Sequence, residues 1–451
     1  MHLSSTVARR VRFAVLSRAG SALVIALAAV LLGSVAAGCK QVPKWERGKK
    51  ILHYPLRAKV GSLDPVRQSS SYDTLARSQV YETLYTYEYL IRPFKVRPLL
   101  AASMPTVSAD KRTYTIPLKR GVLFHDDPCF PGGTGREMVA RDVIESMMRM
   151  ADRDTTPGGW WLYKKRIVGF DDFQARMNER PPGAPFDWDA DIPGLRAPDP
   201  YTVEIELTNP FPQLLYILSM AYTAILPREC AEHYGSEFAS RPVGTGPFRL
   251  IEWVRGSRLR YERNPTYRRE LYPSEASPEL EARGLLAPAG QPIPFLDGIV
   301  LHVYEQDQPK WLKFRVGDLD LVQVPAEYQQ AMYTGADFAL RQRFVEEGMG
   351  SYNLPLLDFI YRGFNMNDPI VGQGERAKYL RQAIVAALDT GEINKAFYNS
   401  AAVLYDGPIP PGLDGHEPGL LSPYRGADGP NLERARELLA KAGYPGGEGL
   451  P

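Results

Sequence analysis

Gly244-Thr245-Gly246-Pro247-Phe248, with Trp253, Gly256 and Ser257 behind it and then Glu262-Arg263-Asn264-Pro265-Thr266-Tyr267, is the stretch from which the fold of this 451-residue chain is read. The glycine pair predicts a tight turn feeding a strand, and Asn264-Pro265 caps the charged turn that follows. Glu252, Glu262 and Arg263 are expected to form surface or inter-strand pairs. Phosphate cradles also use a Gly-x-Gly pair, but they continue to a further glycine and open a helix. Neither follows here.

Upstream, Ile51 to Tyr54 reads as a strand, Gly61-Ser62-Leu63-Asp64-Pro65 as a turn-rich stretch, and Gln68 to Asp73 as a polar loop. Leu75, Val80, Leu84 and Tyr85 fall at helical spacing and predict a helix after that loop. Thr113 to Lys119 alternates behind the turn Ala109-Asp110-Lys111, a hairpin whose sheet has one wet face. Val139, Val143, Ile144, Met147 and Met150 form one stripe of a helix over 137–150, the methionines acting as core filler. From Asp152 to Pro200 the chain is rich in Pro, Gly and Trp and is expected to be an elaborated surface region. Tyr201 to Leu207 alternates again as a strand. Downstream, Leu271 to Pro294 reads as loop and Gly298 to Tyr304 as strand. Ala377, Leu380, Ile384, Ala387 and Leu388 form one helical stripe. Asn431 caps another, made of Leu432, Ala435, Leu438, Leu439 and Ala442, with Gly443 at its C′ position. Strands interleaved with helices make the architecture mixed α/β or α+β.

Arg9, Arg10, Arg12 and Arg18 precede the small-apolar run Ala19 to Ala37, which ends in Gly38-Cys39. A basic head, an apolar middle and a small-residue exit make an export signal over 1–38. That exit resembles a bacterial lipobox, which implies diacylation of Cys39 and a lipid-anchored tether over 39–50. Ala36 stands where lipoboxes more often carry Leu, which leaves an ordinary signal peptide or an uncleaved N-terminal helix as alternatives. No other stretch has about 18 consecutive apolar residues. The composition, 44% hydrophobic and 11% aromatic, is globular rather than disordered. Roughly 410 residues after the leader exceed one hydrophobic core and predict two or three domains. The formal charge is +2, and removing the leader, with its four arginines and no acid, turns the balance to −2. With no basic surplus, nucleic acid is excluded as a partner. Cys129 and Cys230 either pair, as an exported protein allows, or stay free or buried. No Cys-x-x-Cys occurs and the six histidines are scattered, so no zinc framework, metal or cofactor is expected.

In company, these stretches resemble the large solute-binding lipoproteins of ABC importers, the peptide- and nickel-binding class called family 5. The companions are Leu63-Asp64-Pro65, Val80-Tyr81-Glu82-Thr83-Leu84, and Thr113-Tyr114-Thr115-Ile116 with Leu118, Lys119, Gly121, Val122, Phe124, His125 and Asp126. Gly317-Asp318-Leu319-Asp320, Gly363-Phe364-Asn365-Met366 and Arg381-Gln382-Ala383-Ile384 with Ala387-Leu388-Asp389 complete them in the family's order. There are departures. Asp127 to Glu137 inserts Pro128-Cys129-Phe130-Pro131-Gly132-Gly133 before Ala140-Arg141-Asp142-Val143. Arg268 replaces the usual Trp, and Thr390-Gly391 the usual Arg. These mark a divergent branch.

The resemblance implies a two-lobed, periplasmic-binding-protein-like α/β fold of the class II, large peptide-binding type. Lobe 1 is expected at 51–82 and 205–357, an extra subdomain at 83–204 and lobe 2 at 358–451. Residues 432 to 445 look like a helix and turn that in relatives precede roughly a hundred or more further residues completing that lobe, so the second lobe is expected to be incomplete. Among the missing parts is an aspartate-bearing segment that holds a peptide's amino group. The implied activity is capture of a small ligand, foremost an oligopeptide, between closing lobes, with delivery to an ABC permease and its ATPase. A sensory co-receptor or periplasmic chaperone on the same scaffold is the alternative. The protein is expected to be monomeric and extracytoplasmic in the cell envelope.

Candidate groove residues are the loop Ser69, Ser70, Ser71 and Tyr72, Tyr361 and Asn365 near the crossover into lobe 2, and the wall residues Trp160 and Trp161. Each has a plain structural counterpart: loop serines face water, and a Trp pair can pin its own loop. Arg381 reads as structural. No Gly-x-Ser-x-Gly, His-Glu-x-x-His or Ser-x-x-Lys is present, and Pro418 breaks the helix that His416-Glu417 would need, so no catalytic residues are assigned. His125-Asp126-Asp127 lacks a third spaced ligand group for a cation.

Overall fold

A computed structural model describes residues 43–450 except 68–69, 182, 335–337, 353–359, 412, 414, 421, 425 and 427–428. The export signal and Cys39 lie outside these residues. Residues 43–50 belong to an N-terminal unit separate from 51–451. In it Glu46 N donates to the Pro43 carbonyl (2.9 Å) and Lys49 N to that of Glu46 (3.0 Å). No described helix is long and apolar enough to cross a membrane.

The larger unit is built on two four-stranded sheets. The first has strand order β1-β12-β9-β8, formed by β1 (Ile51–Leu56), β12 (Gly298–Val303), β9 (Arg258–Arg263) and β8 (Phe248–Val254). β1 and β12 run parallel, and the other pairs are antiparallel. Alternation in β9 buries Leu259 and Tyr261 completely. Its wet face carries Arg258 and Arg260, which share Glu252 of β8 at 3.0 and 2.8 Å, while Glu262 takes Arg249 at 2.6 Å. These are the inter-strand pairs expected of the Glu252 and Glu262 positions. Arg263 reaches Asp297 at 3.1 Å.

The second sheet, β4-β5-β7-β6, joins β4 (Thr106–Val107), β5 (Thr113–Pro117), β7 (Thr202–Glu206) and β6 (Leu195–Asp199), all antiparallel. Tyr114 and Ile116 of β5 face Ile205 and Val203 of β7, and all four are buried. The helix Ala140–Met148 adds Val143, Ile144, Met147 and Met148 to the same core. Cys129 and Cys230 form a disulfide, tying the inserted loop to the helix Arg228–Tyr234 across 101 residues of sequence.

Three expectations are corrected. The helix after the polar loop covers only Ser71–Arg77. Its predicted continuation is claimed by tertiary hydrogen bonds: Gly246 N donates to the Val80 carbonyl (2.8 Å) and Phe248 N to that of Gln79 (3.1 Å). Val80 and Leu84 are buried outside a helix, and Tyr85 opens β2 (Tyr85–Tyr87). The region 152–200 is more than surface elaboration, because its helix Phe170–Glu179 sends Phe170 and Phe173 into the main core together with Trp188 and Ile192. The helices Glu375–Ala387 and Leu432–Lys441 pack over Ala383, Ala386, Ala435 and Leu438, leaving Ile384 and Leu432 exposed. Small alanines permit the closest approach of two backbones, so the contact face rotates toward them and away from the bulkier stripe.

Gly443 has φ +88°, the left-handed C′ conformation expected of it. Arg381 donates to the Val371 carbonyl at 2.7 Å and also to that of Gly372, a structural role for this side chain.

Candidate ligand-binding site

The dispersed motifs converge on Gly244–Phe248. A Cβ on Gly244 or Gly246 would stand 2.3 or 2.5 Å from the Val80 carbonyl oxygen, so only glycine allows this approach. His125 N donates to the Gly244 carbonyl and His125 Nε2 to that of Gly246, both at 2.9 Å. Burial holds the His125 pKa below its ordinary value, against the opposing pull of the Gly246 carbonyl. Asn264 Nδ2 donates to the same carbonyl at 3.1 Å, and Asn264 Oδ1 caps its turn by accepting from Thr266 N at 3.0 Å.

Beside this turn, the Glu82 carboxylate is 6% exposed and fully engaged. Arg268 grips it in a bidentate pair at 2.6 and 2.8 Å, Thr245 Oγ1 donates at 2.9 Å, and Tyr267 OH donates at 2.9 Å. Burial pulls the Arg268 pKa down, but Glu82 outweighs it and the net shift is upward. Glu270 continues the network to Arg268 and Lys119, each at 3.2 Å. The residue that departs from the family's tryptophan therefore has a buried partner within the Tyr81-Glu82-Thr83 motif. This knot fixes the scaffold, since each oxygen of the Glu82 carboxylate accepts two hydrogen bonds from its neighbours.

The candidate site lies near the place where residues 61–67 meet the segment 151–164. Arg67 and Pro157 form a β-bridge, and Gly158 N donates to the Val66 carbonyl at 2.9 Å. Ser70 caps the helix Ser71–Arg77 reciprocally: its hydroxyl accepts from Asp73 N at 3.2 Å, and Asp73 accepts from Ser70 N at 2.8 Å. Such a box stabilises a helix by about 1 kcal/mol. Ser71 is exposed and Tyr72 half-buried against the core.

Across the bridge opens a hollow of about 440 Å³ lined by Arg153, Thr156, Trp160, Lys164, Gln174 and Asn178, with Pro157 at its edge. Trp160 is 43% exposed, and Lys164 Nζ sits 4.9 Å from the centre of its ring, within cation–π range. A second hollow of about 330 Å³ is walled by Trp311, Tyr328 and Phe344, but its Arg315 is already matched by Glu347 at 3.0 Å.

Ser70, Ser71 and Tyr72 do not line the hollow that Trp160 walls: Ser70 caps the helix Ser71–Arg77, and Ser71 and Tyr72 form its first turn. Ser69 lies outside the described residues. Trp161 is exposed but does not line the hollow, and its carbonyl accepts from Arg166 at 2.7 Å. Tyr361 is 76% exposed beside Gly363, and Asn365 accepts from Asn367 N at 3.1 Å in its own turn. Neither lines the hollow. Arg153, Lys164, Gln174 and Asn178 were missed by sequence reasoning. The basic run Lys164-Lys165-Arg166 directly behind the Trp pair was the available signal.

His125, Asp126 and Asp127 are spent locally. Asp126 accepts from Gly135 N at 2.9 Å, and Asp127 accepts from Cys129 N at 3.0 Å and Tyr234 OH at 2.6 Å. The two sulfurs near Asp127 are joined as the disulfide.

Comparison with known proteins places this geometry. The model of bacterial extracellular solute-binding proteins, family 5 (middle), matches residues 95–450. The glutathione-binding protein GsiB of Salmonella choleraesuis is 24% identical over 394 residues, covering 86% of this chain and 60% of that protein. Its Escherichia coli O157:H7 counterpart matches at 24% over 390 residues with the same coverage. The chain thus spans about 60% of the length of these curated relatives. Among solved structures, the murein tripeptide binding protein MppA of Escherichia coli has a TM-score of 0.63 at 19% identity, covering 88% of this chain and 67% of that one. DppA of Helicobacter pylori in complex with the peptide STSA has a TM-score of 0.61 at 22% identity, covering 89% and 68%. These structural likenesses show a shared two-lobed, mixed α/β fold.

Proposed function

The chain belongs to the bacterial extracellular solute-binding proteins of family 5, and on that premise we propose that it captures a peptide outside the cytoplasm and passes it to an ABC permease. Its family is one of binding proteins rather than enzymes. The observation that supports the reading is the polar hollow walled by Trp160, whose edge residue Pro157 bridges to Arg67 ahead of the helix Ser71–Arg77. An extended peptide satisfies its own N–H and C=O groups against backbone and ordered water, so a wet, polar hollow suits it. Tyr361 and Asn365 are proposed to meet the ligand from the other lobe, which begins at 358. The first lobe comprises 51–82 and 205–357, with 83–204 as its subdomain; the separate sheet of β4, β5, β6 and β7 within 83–204 except for the last strand's end supports this division. The names of the relatives, which bind glutathione or short peptides, agree with a peptide ligand.

Mass spectrometry of the small molecules released on denaturing the purified protein tests the capture. Peptides are expected, and their absence together with an unrelated stoichiometric ligand would refute it. A lipid anchor at Cys39 is part of the same proposal. Radiolabelled palmitate should enter the protein and not the Cys39→Ser variant, and equal labelling of both would remove the anchor.

A further inference from the structure

We propose that the aromatic strip around Tyr89, Tyr272 and Phe295 lies in the headgroup layer of the bilayer to which Cys39 is anchored, and so holds the body of the protein against that surface. The inference rests on the anchor reading for the nearness of a membrane and on the strip itself for the contact. The strip begins on the hairpin that pairs Tyr85–Tyr87 with Val96–Pro98. The segment 270–295 folds onto it: Arg92 N donates to Ser277 Oγ at 2.5 Å, and Ser277 N to the Leu90 carbonyl at 2.8 Å. Tyr272 thereby meets both Tyr89 and Phe295, with ring centres 6.1 and 5.7 Å away. On the same hairpin Tyr87 stacks on Tyr216 at 6.4 Å. Tyr87, Tyr89, Tyr216, Leu271 and Phe295 are all exposed, Tyr89 by 64%. Scattered apolar residues are ordinary on a protein surface, but a group of them packed ring to ring marks a contact face.

The point where the tether joins the body says what covers this face. Ile51, the first residue after the tether, is in register with Gly298, and Phe295 stands three residues ahead of Gly298, within about 10 Å of chain. Cys39 is 12 residues before Ile51, a reach of at most about 40 Å. The residues between carry Lys40, Lys44, Arg47, Lys49 and Lys50 against Glu46 alone, a basic balance that anionic headgroups attract. An acyl chain on Cys39 therefore brings the bilayer toward the end of the sheet where the rings lie. Tyrosine suits that layer, since its ring is apolar and its hydroxyl stays wet. Charge on the strip is balanced: Glu275, Glu279 and Glu281 are exposed on the segment that folds onto the hairpin, and Arg92, Arg269 and Arg283 are exposed beside them in sequence or across the Ser277 contact. The contact thus draws on burial of the rings. None of the strip's residues lines the hollow beside Trp160, so the face is separate from the candidate ligand-binding site.

The test places a nitrobenzoxadiazole dye on Tyr89→Cys in the full chain, bound to vesicles of phosphatidylethanolamine and phosphatidylglycerol that carry a nitroxide on the headgroup. Acylation of Cys39 and the Cys129–Cys230 disulfide leave no other thiol for the dye, and the unaltered chain treated alike gives the background. Quenching should be at least about threefold stronger at residue 89 than with the dye on Lys395→Cys, an exposed position of the helix Thr390–Tyr398, and Tyr272→Ala with Phe295→Ala should remove about half of it or more. Equal quenching at the two positions, or quenching that the double alanine change leaves untouched, would overturn the contact. Shielding of the dye that rises with protein concentration and not with lipid would assign the strip to a second copy of the chain and overturn it too. Palmitate labelling of the same protein separates the two readings. Label without strip quenching keeps the anchor and removes the contact, whereas strip quenching above background without label keeps the contact and removes the anchor.

Discussion

Removing the Glu82 carboxylate takes from Arg268, whose side chain is 12% exposed, its bidentate partner and leaves it Glu270 on Nε alone at 3.2 Å. Breaking a buried ion pair is costly, so Glu82→Ala should lose about 3 kcal/mol in urea denaturation, and Glu82→Ala with Arg268→Ala should recover part of that loss. A loss below about 1 kcal/mol for the single change would contradict the network. His302 offers a second measurement. Burial first, then His53 at 3.0 Å and the cations Arg258, Lys313 and Arg260, push its pKa down to about 4. Between that value and the unfolded value near 6.5, the unfolded chain binds a proton that the folded chain refuses. This contribution to stability is therefore complete above about pH 6.5 and falls as pH drops toward 4. Allowing for solvent screening, about 1–2 kcal/mol should be lost from pH 7 to pH 5, and His302→Gln should flatten that drop. Equal losses in both proteins would remove His302 as the cause.

Elements show why part of the fold was legible and part was not. β5 and β7 announce themselves because a pleated strand with one wet face must alternate, and their burial follows the alternation. Asn431 and Gly443 mark their helix for a similarly local reason: cap geometry depends on only a few neighbouring residues. The helix after Ser70 was overextended because its end is decided by Gly246 and Phe248, roughly 170 residues away, which bond to the carbonyls of Val80 and Gln79. Periodicity carries no trace of such partners. Likewise Ile384 belongs to the apolar stripe of its helix yet is 41% exposed, since the facing helix offers alanines rather than a groove for it.

For the larger unit as a whole, one continuous buried cluster runs from Leu56 to Leu301 and joins both four-stranded sheets. The motif order that identified the family was legible because close backbone approaches, as at Gly246, tolerate so few residue types. The candidate site was legible only in part. Ser70, Ser71, Tyr72 and Trp160 were named from loop chemistry, but only Trp160 lines the hollow, and the bridge from Arg67 to Pro157 that ties their two segments is a long-range pairing. Arg153, Lys164 and Asn178 come together because the helix Phe170–Glu179 folds back on the turn Arg149–Ala151, and an irregular Pro- and Gly-rich segment gives no periodic sign of that return. The protein is proposed to capture a peptide without chemical change. Isothermal titration calorimetry of the full chain, stripped of bound ligand by unfolding and refolding, against a defined mixture of short peptides measures that directly. Saturable binding of one peptide per chain, with the peptide recovered intact, is the predicted result; heats no larger than dilution across the mixture, or recovery of cleaved peptide, would contradict it.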